Sequence, residues 1–177
     1  MEIKLSRILF EAMSMEPPQG YTVVVSGDKR SITIEYRSKD KLITPRFPEG
    51  RFRYAGMMTL YRGITVDNGL VWEVESVNSE KGFGPLLYDI AMEMVKKVGG
   101  VGLMSDRRSV SPEARKVWRR YFEGRDDVEH GSLPEDLFVG KNSERPEYMR
   151  YYYYKTSTPI IDDLKSKGLI ESGDFEL

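Results

Sequence analysis

Residues 79–98, Ser-Glu-Lys-Gly-Phe-Gly-Pro-Leu-Leu-Tyr-Asp-Ile-Ala-Met-Glu-Met-Val-Lys-Lys-Val, place two glycines directly between a strand pattern and a helix pattern. The first amides of a helix have no intrahelical partner and carry a partial positive charge, so this junction favours an anion. Gly82 and Gly84 lack a Cβ and let the backbone approach a ligand closely. Pro85 suits the first helical turn, where no N–H is needed. The stretch predicts a phosphate-binding turn.

The segment before the turn, residues 70–77, alternates as a half-buried strand does. One predicted face carries Leu70, Trp72, Val74 and Ser76, and the other carries Val71, Glu73, Glu75 and Val77. After the turn, helical spacing predicts a helix over residues 85–98 that ends at Gly99-Gly100. Its predicted core residues are Leu86, Leu87, Ile90, Ala91, Met94, Val95 and Val98. A short strand at residues 101–104 follows, and a strand, helix and strand in this order favour parallel neighbours.

A second helix is predicted to begin at Ser111 as N-cap, with Pro112 at its first position. Its apolar face carries Ala114, Val117, Trp118, Tyr121 and Phe122, and its outer face carries Arg115, Lys116, Arg119 and Arg120. The flanking sequence predicts an amphipathic helix near residues 3–12, a hairpin of residues 21–26 and 31–37, a loop at 40–51 and a strand at 57–64. Near the C-terminus it predicts a strand at 148–156 and a small helix at 158–167.

Composition excludes several classes of site. The 177 residues are 40% hydrophobic and 31% charged, as in a soluble globular protein, and no apolar run approaches the roughly 20 residues that cross a bilayer. We therefore expect no membrane association and a cytoplasmic location. The chain has no cysteine and a single histidine, His130, which excludes disulfides, cysteine ligands and a histidine metal cluster. No metal is expected, and His130 is interpreted as a surface or turn residue.

Charge is unevenly distributed although the net charge is −1. Residues 106–125 hold seven basic and three acidic side chains, and residues 162–177 hold five acidic and two basic ones. The basic helix and the tyrosine cluster at residues 151–154 could form a nucleic-acid surface, because basic residues and stacking aromatics are its usual ingredients. The net charge argues against nucleic acid, and a basic helix face is more often simply solvated.

The order of these elements resembles the GNAT acyltransferase superfamily. The family signature is Gln or Arg, two residues, Gly, one residue, then Gly or Ala, and Ser79-Glu80-Lys81-Gly82-Phe83-Gly84 matches both glycine positions. Ser79 stands where Gln or Arg is expected. The resemblance implies an α+β fold with a central mixed, mostly antiparallel sheet and helices on both faces. We expect one such domain over residues 1–156, followed by a helix and acidic tail over 157–177.

The resemblance implies acetyl-CoA as co-substrate. Its pyrophosphate would meet the turn formed by Glu80, Lys81, Gly82, Phe83, Gly84 and Pro85, next to Ser79. The pantetheine arm would lie along Val74, Ser76 and Val77, near Ser111. Arg107, Arg108 or Arg115 would meet the adenosine 3′-phosphate.

The catalytic residues are also implied by the resemblance. The family commonly uses a strand Glu as base, and Glu73 and Glu75 stand on the matching strand. The family's helix Tyr, which protonates the departing thiolate, corresponds to Trp118, whose indole N–H does not surrender its proton. Tyr121, one turn onward, is the replacement candidate, with a core aromatic as the alternative interpretation.

Two functions follow from the resemblance. The first is transfer of an acetyl group from acetyl-CoA to an unidentified amine on a small molecule or a protein. The second is a GNAT-shaped binding or structural protein without turnover, which needs a protein partner. The wording of residues 81–88 and 105–118 is also similar to acetyltransferase-like proteins encoded by bacteriophages. That similarity implies a place in the host cytoplasm or the virion, and a host factor as a partner for the inactive form.

Overall fold

The computed structural model describes residues 15–138, 144–156 and 159–173. The predicted N-terminal helix and the acidic end at 174–177 lie outside these ranges. The first part comprises β1 (Tyr21–Gly27), β2 (Ser31–Ser38), β3 (Leu42–Thr44), β4 (Phe47–Arg51), β5 (Tyr54–Val66) and β6 (Gly69–Ser79). Then follow α1 (Gly84–Lys97), β7 (Gly100–Met104), α2 (Pro112–Gly124), β8 (Val128–Ser132), β9 (Tyr151–Lys155), α3 (Pro159–Ser166) and β10 (Ile170–Ser172). Among the described residues between β8 and β9, Glu135–Phe138 and Glu147–Met149 form 3₁₀ turns.

Eight strands form one curved sheet in the order β10-β1-β2-β5-β6-β7-β9-β8. Pairing is antiparallel except between β1 and β10 and between β6 and β7, which are parallel. The β1–β2 hairpin and the parallel β6–α1–β7 connection were both predicted and are confirmed. The chain is thus a mixed α+β protein whose large sheet is mostly antiparallel.

Strand β6 carries a bulge at Glu75, which changes the predicted faces. Thr59 of β5 pairs with Ser76 while the adjacent Leu60 pairs with Val74, so Glu75 is the extra residue. After the bulge Val77 packs against the main core and Ser76 is exposed. The prediction that Ser76 shares a face with Trp72 and Val74, and that Val77 lies on the other face, was wrong, because strict alternation does not anticipate an inserted residue.

Residues 40–51 form a short hairpin rather than the predicted loop. Leu42 pairs with Arg51 and Thr44 with Phe47 in a two-stranded sheet separate from the main one. The prolines that suggested a loop are tolerated because a hairpin at the edge of the fold leaves many backbone groups to solvent.

The main core lies on one face of the sheet and receives all three described α-helices. Every residue of α1 from Leu86 to Val95 is buried, so this helix packs on both sides and not only on the face its periodicity predicted. On the other face, a smaller cluster joins Val71, Met104, Leu133 and Tyr152. No α-helix of the described residues packs on that second face, and the helix predicted at residues 3–12 lies outside the described ranges, so the expectation of helices on both faces stays a prediction.

The C-terminal segment belongs to the same sheet and core. Strand β10 pairs in parallel with β1, and Ile160, Ile161 and Leu164 of α3 are buried in the main core. Residues 159–173 therefore pack with the sheet and core formed by the preceding residues. Strand β9 is interior to the sheet, between β7 and β8, and Tyr153 is fully buried.

Within the described ranges, none of the helices has the length and hydropathy of a membrane span.

Candidate functional site

Strands β6 and β7 part at a defined point. Their pairing runs from Leu70 with Gly100 to Glu73 with Met104, where β7 ends, while β6 continues to Ser79. Beyond that point a cavity of about 200 Å³ opens beside β6. It is lined by Val74, Glu75, Ser76, Val77, Tyr88, Asp106, Ser109, Val110, Ser111, Ala114 and Trp118. We call it the inner cavity. Four residues predicted to bind the co-substrate, Val74, Ser76, Val77 and Ser111, lie together in it.

The glycine turn follows directly along β6. Helix α1 begins at Gly84 with Phe83 as N-cap and Pro85 in the first turn, as predicted. Gly82 has φ +96°, and a Cβ added there would meet no atom within 4 Å, so the backbone is open to an approaching group. The remaining predicted turn residues, Ser79, Glu80 and Lys81, connect the end of β6 to this turn.

Hydrogen bonds hold the turn from both ends. The Glu80 amide donates to the Ala55 carbonyl at 2.8 Å, and the Phe83 amide donates to the Glu80 carbonyl at 3.2 Å. The Tyr36 hydroxyl donates to the Phe83 carbonyl at 2.8 Å. The first amides of α1 are therefore held in position by the sheet.

Glu73 is engaged in holding a loop. Its carboxylate accepts the Arg107 backbone N–H at 2.9 Å and the Arg107 Nε at 2.8 Å. Arg145 donates to the carbonyls of Asp106 and Arg107, which fixes the same loop from the other side. Both sets of contacts tie the loop after β7 to the middle of β6.

Glu75 occupies a different position. It stands at the bulge and lines the inner cavity and also a second cavity of about 550 Å³ on the opposite side of β6. This outer cavity is lined by Tyr61, Arg62, Glu73, Glu75, Arg107, Arg108, Asp136 and Leu137. The partner of Glu75 is Arg108, with Nη2 at 3.4 Å from Oε1, and both side chains are well exposed. A carboxylate that lines two cavities can accept a proton from a group bound in one of them while it lies next to a molecule bound in the other.

Tyr121, the predicted acid, is not among the residues that line the inner cavity. Its side chain is 2% exposed and its hydroxyl donates to Asp89 Oδ1 at 3.2 Å. Burial raises the pKa of Tyr121 well above its ordinary value. Tyr121 therefore lies apart from Glu73 and Glu75. Those two glutamates both line the outer cavity.

Sequence reasoning missed Tyr88. This residue of α1 lines the inner cavity and packs edge-to-face on Trp118 at 5.3 Å between ring centroids. Burial raises the pKa of the Tyr88 phenol, so it keeps its proton and can act as a donor. No pattern pointed to it, because its position on α1 lies off the predicted apolar stripe. Ser111 caps α2 as predicted, its Oγ accepting the Ala114 amide at 3.2 Å.

Sequence reasoning also missed Arg62 and the orientation of Arg107 and Arg108. Arg107 and Arg108 line the outer cavity together with Glu73 and Glu75. Of the three arginines expected near the adenosine 3′-phosphate, Arg115 is therefore the one that does not line this cavity. Within the described ranges, no three His, Asp or Glu side chains are grouped so that they could hold a metal ion.

No family model and no curated protein matches the sequence. Among solved structures, a chain of the KacTA–DNA complex is similar at 16% identity, over 80% of this chain and 76% of that chain, with a TM-score of 0.44. Neither the sequence identity nor the TM-score is high enough to assign the chain to a family.

Proposed function

We propose that the protein is a GNAT-like N-acyltransferase that transfers an acetyl group from acetyl-CoA to an amine. The observation that carries the proposal is the position of Glu75, which lines both the inner and the outer cavity at the bulge of β6. An acyl transfer needs two substrates to meet at one point, with a group there that can accept a proton.

The inner cavity is the proposed site for the acyl and pantetheine end of acetyl-CoA. β6 runs along it without β7 beside it after Glu73, so backbone groups of residues 74–77 are available to an extended amide chain. The turn at Gly82 and Gly84 follows on the same strand and would receive the pyrophosphate on the first amides of α1. Acetyl-CoA supplies an activated thioester when it binds there.

The outer cavity is the proposed site for the amine. Glu75 accepts one proton from the incoming ammonium group and passes it to solvent, which frees the nitrogen lone pair. A C–N bond then forms at the thioester carbonyl carbon and the C–S bond breaks. The second proton lost from nitrogen ends on the departing thiolate. Tyr88 supports this step as a hydrogen-bond donor to the sulfur, and Tyr121 takes no part.

The experiment is a thermal melt with and without excess acetyl-CoA, followed by detection of released thiol with a panel of amines. Ligand at about a hundred times its Kd adds about 2.7 kcal/mol to the free energy of unfolding. For a chain of this length we expect a rise of about 5 to 10 °C in Tm. No rise would overturn the proposal and favour the non-catalytic alternative, in which a GNAT-shaped protein binds a protein partner.

A further inference from the structure

The outer cavity contains both signs of charge, and this composition restricts what amine can enter. It is lined by three acidic residues, Glu73, Glu75 and Asp136, and by three arginines, Arg62, Arg107 and Arg108. We propose that this cavity accepts a primary amine that also carries an anionic group, a phosphate or a carboxylate, a few bonds from the nitrogen. The inference rests on the proposed function for the transfer step, and its binding test does not.

A second bulge lies beside Arg62, which lines the cavity together with Tyr61. Arg62 pairs with Trp72 and Ile64 with Val71, which leaves Gly63, the residue after Arg62, as the extra residue. A Cβ on Gly63 would lie 2.7 Å from Met104 Cε and 2.8 Å from the Val71 carbonyl. The bulge therefore depends on glycine.

The three guanidinium groups differ in how firmly they are held. Arg107 makes two short contacts with Glu73, so these two charges neutralise each other. Arg108 is 76% exposed and meets Glu75 at 3.4 Å and Asp106 at 3.8 Å. Arg62 makes no ion pair within 4.0 Å in the part of the chain that the structure describes. Arg62 and Arg108 are thus the cations that a ligand can engage.

The ion pairs that change when a ligand binds indicate which charges the ligand must carry. An ammonium group that approaches Glu75 displaces Arg108 from a long, exposed ion pair, which is a weak contact. The released Arg108 and the unpaired Arg62 then face the rest of the ligand, where an anionic group satisfies both. A ligand with a second ammonium group would meet two cations there and be repelled.

The binding test uses the apo protein and isothermal titration with four amines. O-phosphoethanolamine and β-alanine carry the anion, ethanolamine lacks it, and putrescine replaces it with a second cation. We expect at least one of the two anionic amines to bind roughly tenfold or more tightly than ethanolamine, because it adds charge-assisted hydrogen bonds, and putrescine to bind most weakly. The better of the two identifies the anion. Equal affinities for all four, or tightest binding of putrescine, would overturn the inference.

Substitutions of Arg62 test whether this residue causes the preference for an anionic amine. Arg62→Met should bring the ratio of affinities for the anionic amine and ethanolamine down towards one, and Arg62→Lys should keep part of it. Arg46→Met is the matched control, since Arg46 lies on the exposed β3–β4 hairpin and should keep the ratio of the unmodified protein. A ratio unchanged by Arg62→Met would also overturn the inference. Circular dichroism checks that each variant is folded.

Failure of the inference and failure of the proposed function are distinguishable. If acetyl-CoA raises Tm but the four amines bind alike, the acceptor class is wrong and the acyltransferase proposal stands. If the anionic amine binds selectively but acetyl-CoA does not raise Tm, the cavity is a ligand site as inferred and the acyltransferase proposal falls.

Discussion

Arg107 donates its backbone N–H and its Nε to the carboxylate of Glu73, at 2.9 and 2.8 Å. The contact joins the loop after β7 to the middle of β6, at the point where the two strands part. The Glu73 side chain is 13% exposed, whereas that of Glu75, two residues on, is 40% exposed. The two acids on this strand therefore differ, because Glu73 holds the loop whereas Glu75 is the more exposed and is the one that we propose as the base.

Glu75→Gln should lower kcat/KM for acetyl transfer by about a hundredfold or more, because the amide cannot accept a proton. Glu73→Gln keeps the shape but weakens the contact with Arg107, so we expect a smaller loss of rate together with a lower Tm. Steady-state kinetics over a range of pH separates the two, since only loss of the base should change the pH profile. A larger rate loss and a changed pH profile for Glu73→Gln, with an unchanged profile for Glu75→Gln, would contradict the assignment.

Gly82→Asp should abolish the rise in Tm caused by acetyl-CoA, because a carboxylate at the turn repels phosphate and fills the open space there. Gly99→Asp is the matched control at the opposite end of α1. Gly99 has φ +80° and equally open surroundings, so both variants should lose at least about 1 kcal/mol of stability through backbone strain. Binding retained by Gly82→Asp, or lost equally in both, would argue against the proposed pyrophosphate site.

Tyr88→Phe should lower kcat while Tyr121→Phe leaves it unchanged per folded molecule. Tyr88 lines the inner cavity, whereas the Tyr121 hydroxyl is bonded to the buried Asp89. Arg125 remains bonded to Asp89 at 2.5 Å, so loss of the Tyr121 hydroxyl should remove only about 1 kcal/mol of stability. Turnover measurements and urea denaturation of both variants check this. A loss of kcat in Tyr121→Phe alone would reinstate Tyr121 as the acid.

Glu93→Gln should be the most destabilising of these changes. The Glu93 carboxylate accepts Lys155 Nζ at 2.9 Å and the backbone N–H groups of Ile160 and Ile161 at 3.3 and 2.9 Å. Since the side chains of Glu93 and Lys155 are 0% and 1% exposed, breaking the pair should cost about 3 to 5 kcal/mol. The start of α3 should also open, which hydrogen exchange at these amides would detect.

The control for Glu93→Gln is Glu16→Gln, which breaks an exposed pair with Lys167. Both side chains of that pair are about half exposed, and we expect a loss below about 1 kcal/mol. Similar losses for the two variants would mean that burial does not set the strength of the Glu93 pair.

Asp28 predicts a pH dependence of stability. Its Oδ1 accepts the backbone N–H groups of Arg30 at 2.7 Å and Ser31 at 2.9 Å in the β1–β2 turn, and these bonds lower its pKa. Because the folded pKa lies below the unfolded one, its contribution is present above the unfolded value of about 3.9 and is lost as pH falls through the folded value. Asp28→Asn should therefore flatten the fall in Tm on acidification. An equally steep fall in the variant would contradict this.

A large part of the fold could be predicted from local sequence patterns. The strand, glycine turn and helix at residues 79–98, the Ser111 cap and the parallel β6–β7 pair depend on neighbouring residues in the chain, so periodicity and turn chemistry reveal them. The hairpin of β3 and β4 was missed although its pairing is local, because its prolines are typical of a loop. The burial of α1 on both sides was missed because it depends on α2, α3 and β9, which are distant in sequence.

Local sequence is sufficient to predict the turn that opens α1, the order of strands and helices around it, and two acids on one strand as base candidates. The proposed choice between those acids depends on the three-dimensional fold, since the bulge that places Glu75 between two cavities and the loop that occupies Glu73 arise from strand pairing. The fold also brought Tyr88 and Arg62 to the cavities and buried Tyr121. Such contacts join residues far apart in the chain, and no local periodicity encodes their register.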